Sequence, residues 1–100
     1  MLHFVLEGEH LVPFDELAEL VPVHRAFVQK RYDDGFFLCS RPQIPARGGF
    51  LIARAESLAK LQELLAEEPF TKAKKMRFSR ITQFEPVQHQ PALRDWFAKS

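Results

Sequence analysis

The chain has 100 residues and a mass of 11.6 kDa, and 46% of its residues are hydrophobic and 27% charged. This length suits one domain with its own core, and the composition excludes a disordered or fibrous chain. Fourteen Lys and Arg against thirteen Asp and Glu leave a net charge of +1, so no overall field draws the chain to nucleic acid or an anionic membrane.

The first third of the chain predicts a strand followed by a helix. Residues 2–6 are apolar strand formers, and Gly8 ends them. Apolar residues then recur with helical spacing over 14–34. Pro22 interrupts this spacing, so either the helix kinks there or the main helix begins there with proline in its first turn. Gly35 is the residue type that commonly follows the end of a helix.

The remainder predicts three more strands and a second helix. Residues 36–40 and 50–53 are short apolar segments joined by a loop rich in proline and glycine. Ser57 suits the N-cap of a helix whose leucines share one face. Glu68-Pro69-Phe70 ends that helix and begins another turn, and residues 76–84 predict the fourth strand.

The resulting order of strand, helix, strand, strand, helix, strand predicts an α+β fold of the ferredoxin-like type, with two helices on one face of an antiparallel sheet. We place this domain at residues 1–87 and a C-terminal extension at 88–100. The sheet face without helices would carry part of a content of ten Phe, so we expect a second copy of the chain to cover it. The Trp96-Phe97 pair of the extension is expected to pack on that homodimer.

Two ionisable residues are candidates for chemistry. His24 lies one turn before Phe27 in the predicted helix, where it either transfers protons near neutral pH or is an ordinary half-exposed histidine. Glu68 precedes Pro69, a position that suits the cap of the following turn. Because Glu is not among the favoured N-cap residues, the alternative is that its carboxylate has another partner, and both interpretations stay open. Asp34 is interpreted mainly as a residue at the end of a helix.

Other chemistries find little support in the sequence. The four histidines lack metal-ligand spacing, so we predict neither a metal nor another cofactor. The segment Arg47–Leu51 lacks the aromatic pattern of RNA-recognition strands, so no nucleic acid is expected. Cys39 is the single cysteine and is expected to be a small buried side chain in a strand rather than a nucleophile. This lone cysteine favours a reducing compartment, and no signal peptide or apolar span is visible, so we predict a cytoplasmic protein without membrane contact.

Five short motifs in order resemble the YciI-like (YCII-related) family, over about residues 1–86. They are His24 in the first helix, Asp34-Gly35 at its end, Ser40-Arg41-Pro42 after the second strand, Gly48-Gly49 before the third, and the Glu68-Pro69-Phe70 turn. The resemblance implies a dimeric α+β barrel, in which ferredoxin-like protomers pair through their open sheet faces.

The resemblance also implies an active site. The family pairs a histidine of the first helix, here His24, with the aspartate of an Asp-Pro-aromatic turn, where this chain has Glu68. Arg41-Pro42 stands where the family usually has Gly-Pro, so a guanidinium is present that relatives lack. By this comparison Ser40, Arg41, Pro42 and Phe70 bind the substrate, and Arg41 suits a carboxylate or phenolate.

The family resemblance implies lyase or isomerase chemistry by a His–carboxylate pair on a small cyclic or phenolic acid. The alternative is a non-catalytic module of the same fold that binds or senses a small ligand.

Overall fold

The computed structural model describes residues 1–44 and 47–98, and it confirms the predicted order of strands and helices. The strands are Leu2–His10 (β1), Phe37–Pro42 (β2), Gly49–Ala55 (β3) and Met76–Phe84 (β4). The helices are Val21–Asp33 (α1), Leu58–Ala66 (α2), Pro69–Lys72 (α3) and Arg94–Ala98 (α4). Short 3-10 turns lie at Phe14–Glu16, Ala18–Leu20 and Pro91–Leu93.

The four strands form one antiparallel sheet in the order β2-β3-β1-β4. In the central pair, Phe4 lies opposite Ala53 and Leu6 opposite Leu51, and all four side chains are buried. Leu61 of α2 joins them in the main core cluster. Because successive strand residues point to opposite faces, this register places the core on one face of the sheet, under the helices. The architecture is the predicted ferredoxin-like α+β fold.

Pro22 occupies the first turn of α1, which settles the choice between a kinked helix and a late start. Proline has no backbone N–H to donate, and its ring clashes with the carbonyl four residues earlier, so the regular helix cannot continue backwards through it. The preceding residues 14–20 form two 3-10 turns instead of helix. Leu17 between these turns is fully buried with Phe70 and Met76 in a second core cluster.

Cys39 is exposed, so the expectation of a buried cysteine was wrong. The pairing of β2 with β3 is irregular between Phe37 and Cys39, which places Cys39 opposite Ile52. Phe37 and its partner Ala53 face the helices, whereas Ile52 and Cys39 face the other side of the sheet. The thiol therefore lies on the face that the helices leave open.

The C-terminal extension packs on one end of this open face of its own chain, through a short helix that the sequence did not predict. The rings of Trp96 and Phe97 lie 5.6 and 5.3 Å from the ring of His3. Trp96 donates from Nε1 to the carbonyl of Gly35 at 3.1 Å, and the Arg54 guanidinium lies 4.5 Å from the Trp96 ring. Burial, the N-terminal amine and Arg54 all lower the pKa of His3, so this enclosed ring is neutral at pH 7.

Gly48, just before β3, and Gly49, its first residue, differ in the space around them, which predicts different responses to alanine. A Cβ on Gly48 would lie 1.8 Å from the carbonyl oxygen of Gly8, whereas nothing lies within 4 Å of a Cβ on Gly49. We expect Gly48→Ala to lower the free energy of unfolding by about 2–4 kcal/mol, because the loop must move away from β1. Gly49→Ala is the matched control and should change it by less than about 1 kcal/mol. Urea unfolding followed by circular dichroism measures both; equal losses would show that the loop is not held against β1.

Candidate active site

An open cleft of about 530 Å³ lies along α1, from Val21 to Tyr32, and its size is typical of small-molecule pockets. Helix α1, strand β2 and the start of β3 form its walls. The end of β1, Phe14, Phe70 and Met76 complete the lining. The polar or ionisable side chains that line it are His10, His24, Arg25, Gln29, Tyr32, Ser40 and Arg41.

His24 reaches the cleft because it borders the buried face of α1. Phe27 and Val28, one turn further on, pack against the main core, so His24 lies at the edge of that face and is half-buried. Its ring stacks on Phe70, with ring centroids 4.1 Å apart and planes inclined by 10°. This stacking fixes the plane in which the two ring nitrogens lie.

Glu68 stands directly behind His24 and caps α3. Its backbone is extended, Pro69 occupies the first turn, and its side chain accepts from the backbone N–H groups of Phe70 at 3.0 Å and Thr71 at 2.8 Å. The Thr71 hydroxyl donates a further bond at 2.8 Å, and Nδ1 of His24 lies 2.6 Å from Oε1. The two interpretations of Glu68 are therefore both realised, because the same carboxylate caps the helix and contacts the histidine.

The proton between His24 and Glu68 belongs to the histidine. Burial raises the pKa of Glu68, but the hydrogen bonds donated by His24, Phe70 and Thr71 outweigh burial and hold that pKa below its usual range. An ionised carboxylate only accepts hydrogen bonds, so Nδ1 of His24 carries the hydrogen. No residue within the described ranges hydrogen-bonds to Nε2, which leaves this nitrogen available to a ligand.

The lowered pKa of Glu68 predicts a specific loss of stability in acid. A carboxyl group whose pKa is lower in the folded chain stabilises the fold fully above its unfolded pKa of about 4.3, and that stabilisation disappears as pH falls through the folded pKa. We expect Glu68→Gln to flatten the dependence of unfolding free energy on pH below about 5, by at most about 1.4 kcal/mol per pH unit.

Urea unfolding between pH 3 and pH 7 measures this slope. Glu63→Gln is the matched control. Glu63 is an exposed residue of α2, and its carboxylate lies 3.9 Å from the ammonium group of Lys60. Parallel pH profiles for wild type and Glu68→Gln would mean that Glu68 titrates alike in the folded and unfolded chain.

The structure brings the six sequence-predicted site residues together in two layers. His24, Ser40, Arg41, Pro42 and Phe70 line the cleft. Glu68 is 3% exposed and lies beneath them, where it lines a smaller inner cavity of about 110 Å³ that His24 and Ser40 also border. Ser40 additionally forms a 2.6 Å hydrogen bond with the Tyr32 hydroxyl, which ties β2 to α1 across the cleft.

Four polar lining residues, His10, Arg25, Gln29 and Tyr32, were not singled out from the sequence. Tyr32 follows His24 by eight residues, which is close to two helical turns, so helical spacing alone could have identified it. No signal in the sequence distinguishes Arg25 or Gln29 from other exposed helix residues. His10 was missed because the first strand was expected to end at Gly8, whereas a shift in its pairing with β4 between Glu7 and Gly8 lets β1 continue to His10.

Within residues 1–44 and 47–98, no three His, Cys, Asp or Glu side chains are grouped closely enough to hold a metal ion. The same ranges contain no helix with the length and apolar character needed to cross a membrane.

A sequence profile of the YCII-related domain matches residues 1–85. The chain belongs to the YCII-related family. Among solved structures, this YCII-related chain is similar to the 5-chloro-2-hydroxyhydroquinone dehydrochlorinase TftG of Burkholderia phenoliruptrix AC1100, solved as a complex with 2,5-dihydroxybenzoquinone. The two share 20% identity and a TM-score of 0.64, and the match covers 92% of this chain and 98% of the other. At this identity the likeness shows the fold. No curated protein sequence matches the chain.

Proposed function

We propose that this YCII-related protein is a lyase or isomerase that uses general acid/base catalysis on a small cyclic or phenolic acid. The observation that carries the proposal is the 2.6 Å contact between Nδ1 of His24 and the buried carboxylate of Glu68, at the wall of an open cleft. A histidine held in one tautomer by a carboxylate is a common arrangement for proton transfer near neutral pH.

In the proposed chemistry, His24 exchanges a proton with the substrate through Nε2. Glu68 keeps hydrogen on Nδ1, so neutral Nε2 has a lone pair that accepts a proton from a C–H or O–H group of the ligand. The resulting imidazolium is stabilised by the adjacent Glu68 charge. In an isomerisation the imidazolium returns the proton to another ring position; in an elimination it protonates the leaving group or releases the proton to water.

Glu68 acts as a positioning residue in this scheme. Both of its oxygens already accept hydrogen bonds, one from His24 and Phe70 and the other twice from Thr71. A carboxylate held by four donors keeps its position and stays ionised, so it orients the imidazole rather than taking up the proton itself. The extra methylene of Glu relative to Asp does not prevent this contact, because the cap geometry of α3 places Oε1 against Nδ1.

The size and lining of the cleft favour a single-ring substrate. Its volume suits a ligand of this size. Phe70 reaches the cleft beside His24, and β2 contributes the polar Ser40, the charged Arg41 and Pro42 to the lining. The fold-level neighbour TftG is named for a reaction on a chlorinated hydroxyhydroquinone, which is a substrate of this size.

Hydrogen–deuterium exchange on the ligand tests the proposal directly, because it detects proton transfer whichever reaction follows. Hydroxybenzoates, hydroxyhydroquinones and unsaturated cyclic acids are incubated with the protein in D₂O, and loss of C–H signals is followed by ¹H NMR. Protein-dependent exchange that disappears in His24→Ala supports general acid/base catalysis. If these ligands raise the melting temperature of the protein but show neither proton exchange nor turnover, the result would favour the non-catalytic binding module.

We further propose that the protein is a homodimer joined through the open sheet face. The centre of that face contains Val5 and Ile52, which are only partly buried, and Phe50, which is 38% exposed. The helices cover the other face, and the tail covers only the end near His3. A second sheet packed on this surface would remove its apolar area from water.

The exposed thiol of Cys39 provides a direct measurement of this dimer. We expect sedimentation to give about twice the mass of one 11.6 kDa chain at micromolar concentration, and the reaction of Cys39 with a thiol reagent to slow as protein concentration rises. Cys39 shares its sheet face with Ile52, so an interface there restricts the reagent. A single-chain mass, or a rate independent of concentration down to nanomolar protein, would contradict the interface.

A further inference from the structure

We infer that the preferred ligand of the cleft is a ring with two acidic groups, clamped between the guanidiniums of Arg25 and Arg41. The inference rests on the proposed function only in placing the ligand beside His24. It assigns a binding role to Arg25, whose position one residue after His24 brings a second cation to the same cleft.

The charges of the cleft wall carry this inference. The described residues that line it include Arg25, Arg41, His10 and His24, and no Asp or Glu. The whole chain is nearly balanced, with fourteen basic and thirteen acidic residues, so a described lining that contains two arginines and no carboxylate departs from its average composition. A cleft of one charge sign concentrates ligands of the opposite sign. The Glu68 carboxylate lies behind His24, and both of its oxygens accept hydrogen bonds.

Neither guanidinium is paired with a carboxylate of the described residues. Arg31 and Arg77 pair with Asp34 and Glu9, whereas Arg25 and Arg41 form no ion pair within the described part of the chain. The two project from different elements, α1 and the end of β2. Two separate cations from different elements of the lining match two separate anionic groups, and the planar guanidinium suits a carboxylate or a phenolate.

His10 extends the same surface. It lies at the end of β1, half-buried, with its ring edge-on to Phe70 at 6.4 Å. Phe70 therefore has His24 stacked against it and His10 beside it. A ring bound in the cleft meets this aromatic group, while its acidic substituents reach the two arginines.

A series of probes on one ring tests the clamp at pH 7 by isothermal titration calorimetry on the full chain. Benzamide, benzoate and isophthalate carry zero, one and two negative charges. We expect the dissociation constant to fall about tenfold at each step, as for charge-assisted hydrogen bonds at partly solvated groups. Added salt should weaken the binding of isophthalate much more than that of benzamide.

Variants identify the residues responsible. Arg25→Gln and Arg41→Gln should each raise the dissociation constant of isophthalate about three- to tenfold and remove its advantage over benzoate. Arg80→Gln, an exposed arginine of β4 that does not line the cleft, should leave the affinity unchanged. Equal affinity for the mono- and dianion, no binding of either at millimolar concentration, or the same loss in Arg80→Gln would each overturn the clamp. If isophthalate still binds more tightly than benzoate but no proton exchange is detected on any ligand, the proposed catalysis is refuted and the clamp is not.

Discussion

His24→Ala is expected to reduce the rate of proton exchange on the ligand by about 10²- to 10⁴-fold, the range for removal of a general acid or base. The substitution leaves no group that can accept a proton where Nε2 stood. It also leaves Glu68 with its three donors from Phe70 and Thr71, so the cap of α3 persists. The rate is measured by the same ¹H NMR exchange experiment, at saturating ligand.

His89→Ala is the matched control, because His89 is an exposed histidine of the C-terminal extension outside the cleft. It should keep the wild-type rate. Glu68→Gln should fall between the two, since the amide can still meet Nδ1 but no longer stabilises the imidazolium by charge. Wild-type exchange in His24→Ala would remove the His24–Glu68 pair from the mechanism.

Phe70→Ala is expected to lower the free energy of unfolding by about 3–5 kcal/mol. Phe70 is 4% exposed, belongs to the cluster with Leu17 and Met76, and stacks on His24. Alanine would leave a cavity among these side chains and remove the surface that holds the imidazole plane. Urea unfolding followed by far-ultraviolet circular dichroism measures the loss.

Phe14→Ala provides the comparison within the same cleft. Phe14 also lines the cleft but is 63% exposed, so its removal should cost less than about 1 kcal/mol. Similar losses of unfolding free energy for the two phenylalanines would mean that Phe70 contributes no more to the core than the exposed Phe14 does.

The fold follows from local patterns that are clear in the sequence. The fourth strand was predicted at 76–84, where it is found, because its apolar residues alternate, and Ser57 accepts from the backbone of Lys60 as an N-cap should. The bounds that differed depend on partners distant in sequence. β1 runs four residues beyond Leu6 because β4 continues to pair with it past the irregularity at Gly8.

The site was predictable as a set of residues but not as a geometry. His24 and Glu68 are 44 positions apart, and only the packing of α3 against α1 brings them within 2.6 Å. The Glu-Pro-Phe turn indicated a cap, yet nothing in its composition reveals that one oxygen would serve both a backbone amide and an imidazole. Cys39 shows the same limit, because the irregular pairing that turns it outwards depends on β3.

The chain has one tryptophan, and its position at the far end of β1 determines what intrinsic fluorescence can report. Trp96 packs on His3, about 23 Å along β1 from the His10 end of the cleft, and it hydrogen-bonds to Gly35, three residues after the cleft residue Tyr32. Emission from this indole is therefore a probe of the docked extension. A melting curve recorded by fluorescence follows the release of Trp96 from His3 and Gly35, and coincidence with the circular-dichroism curve would show that extension and sheet unfold as one cooperative unit.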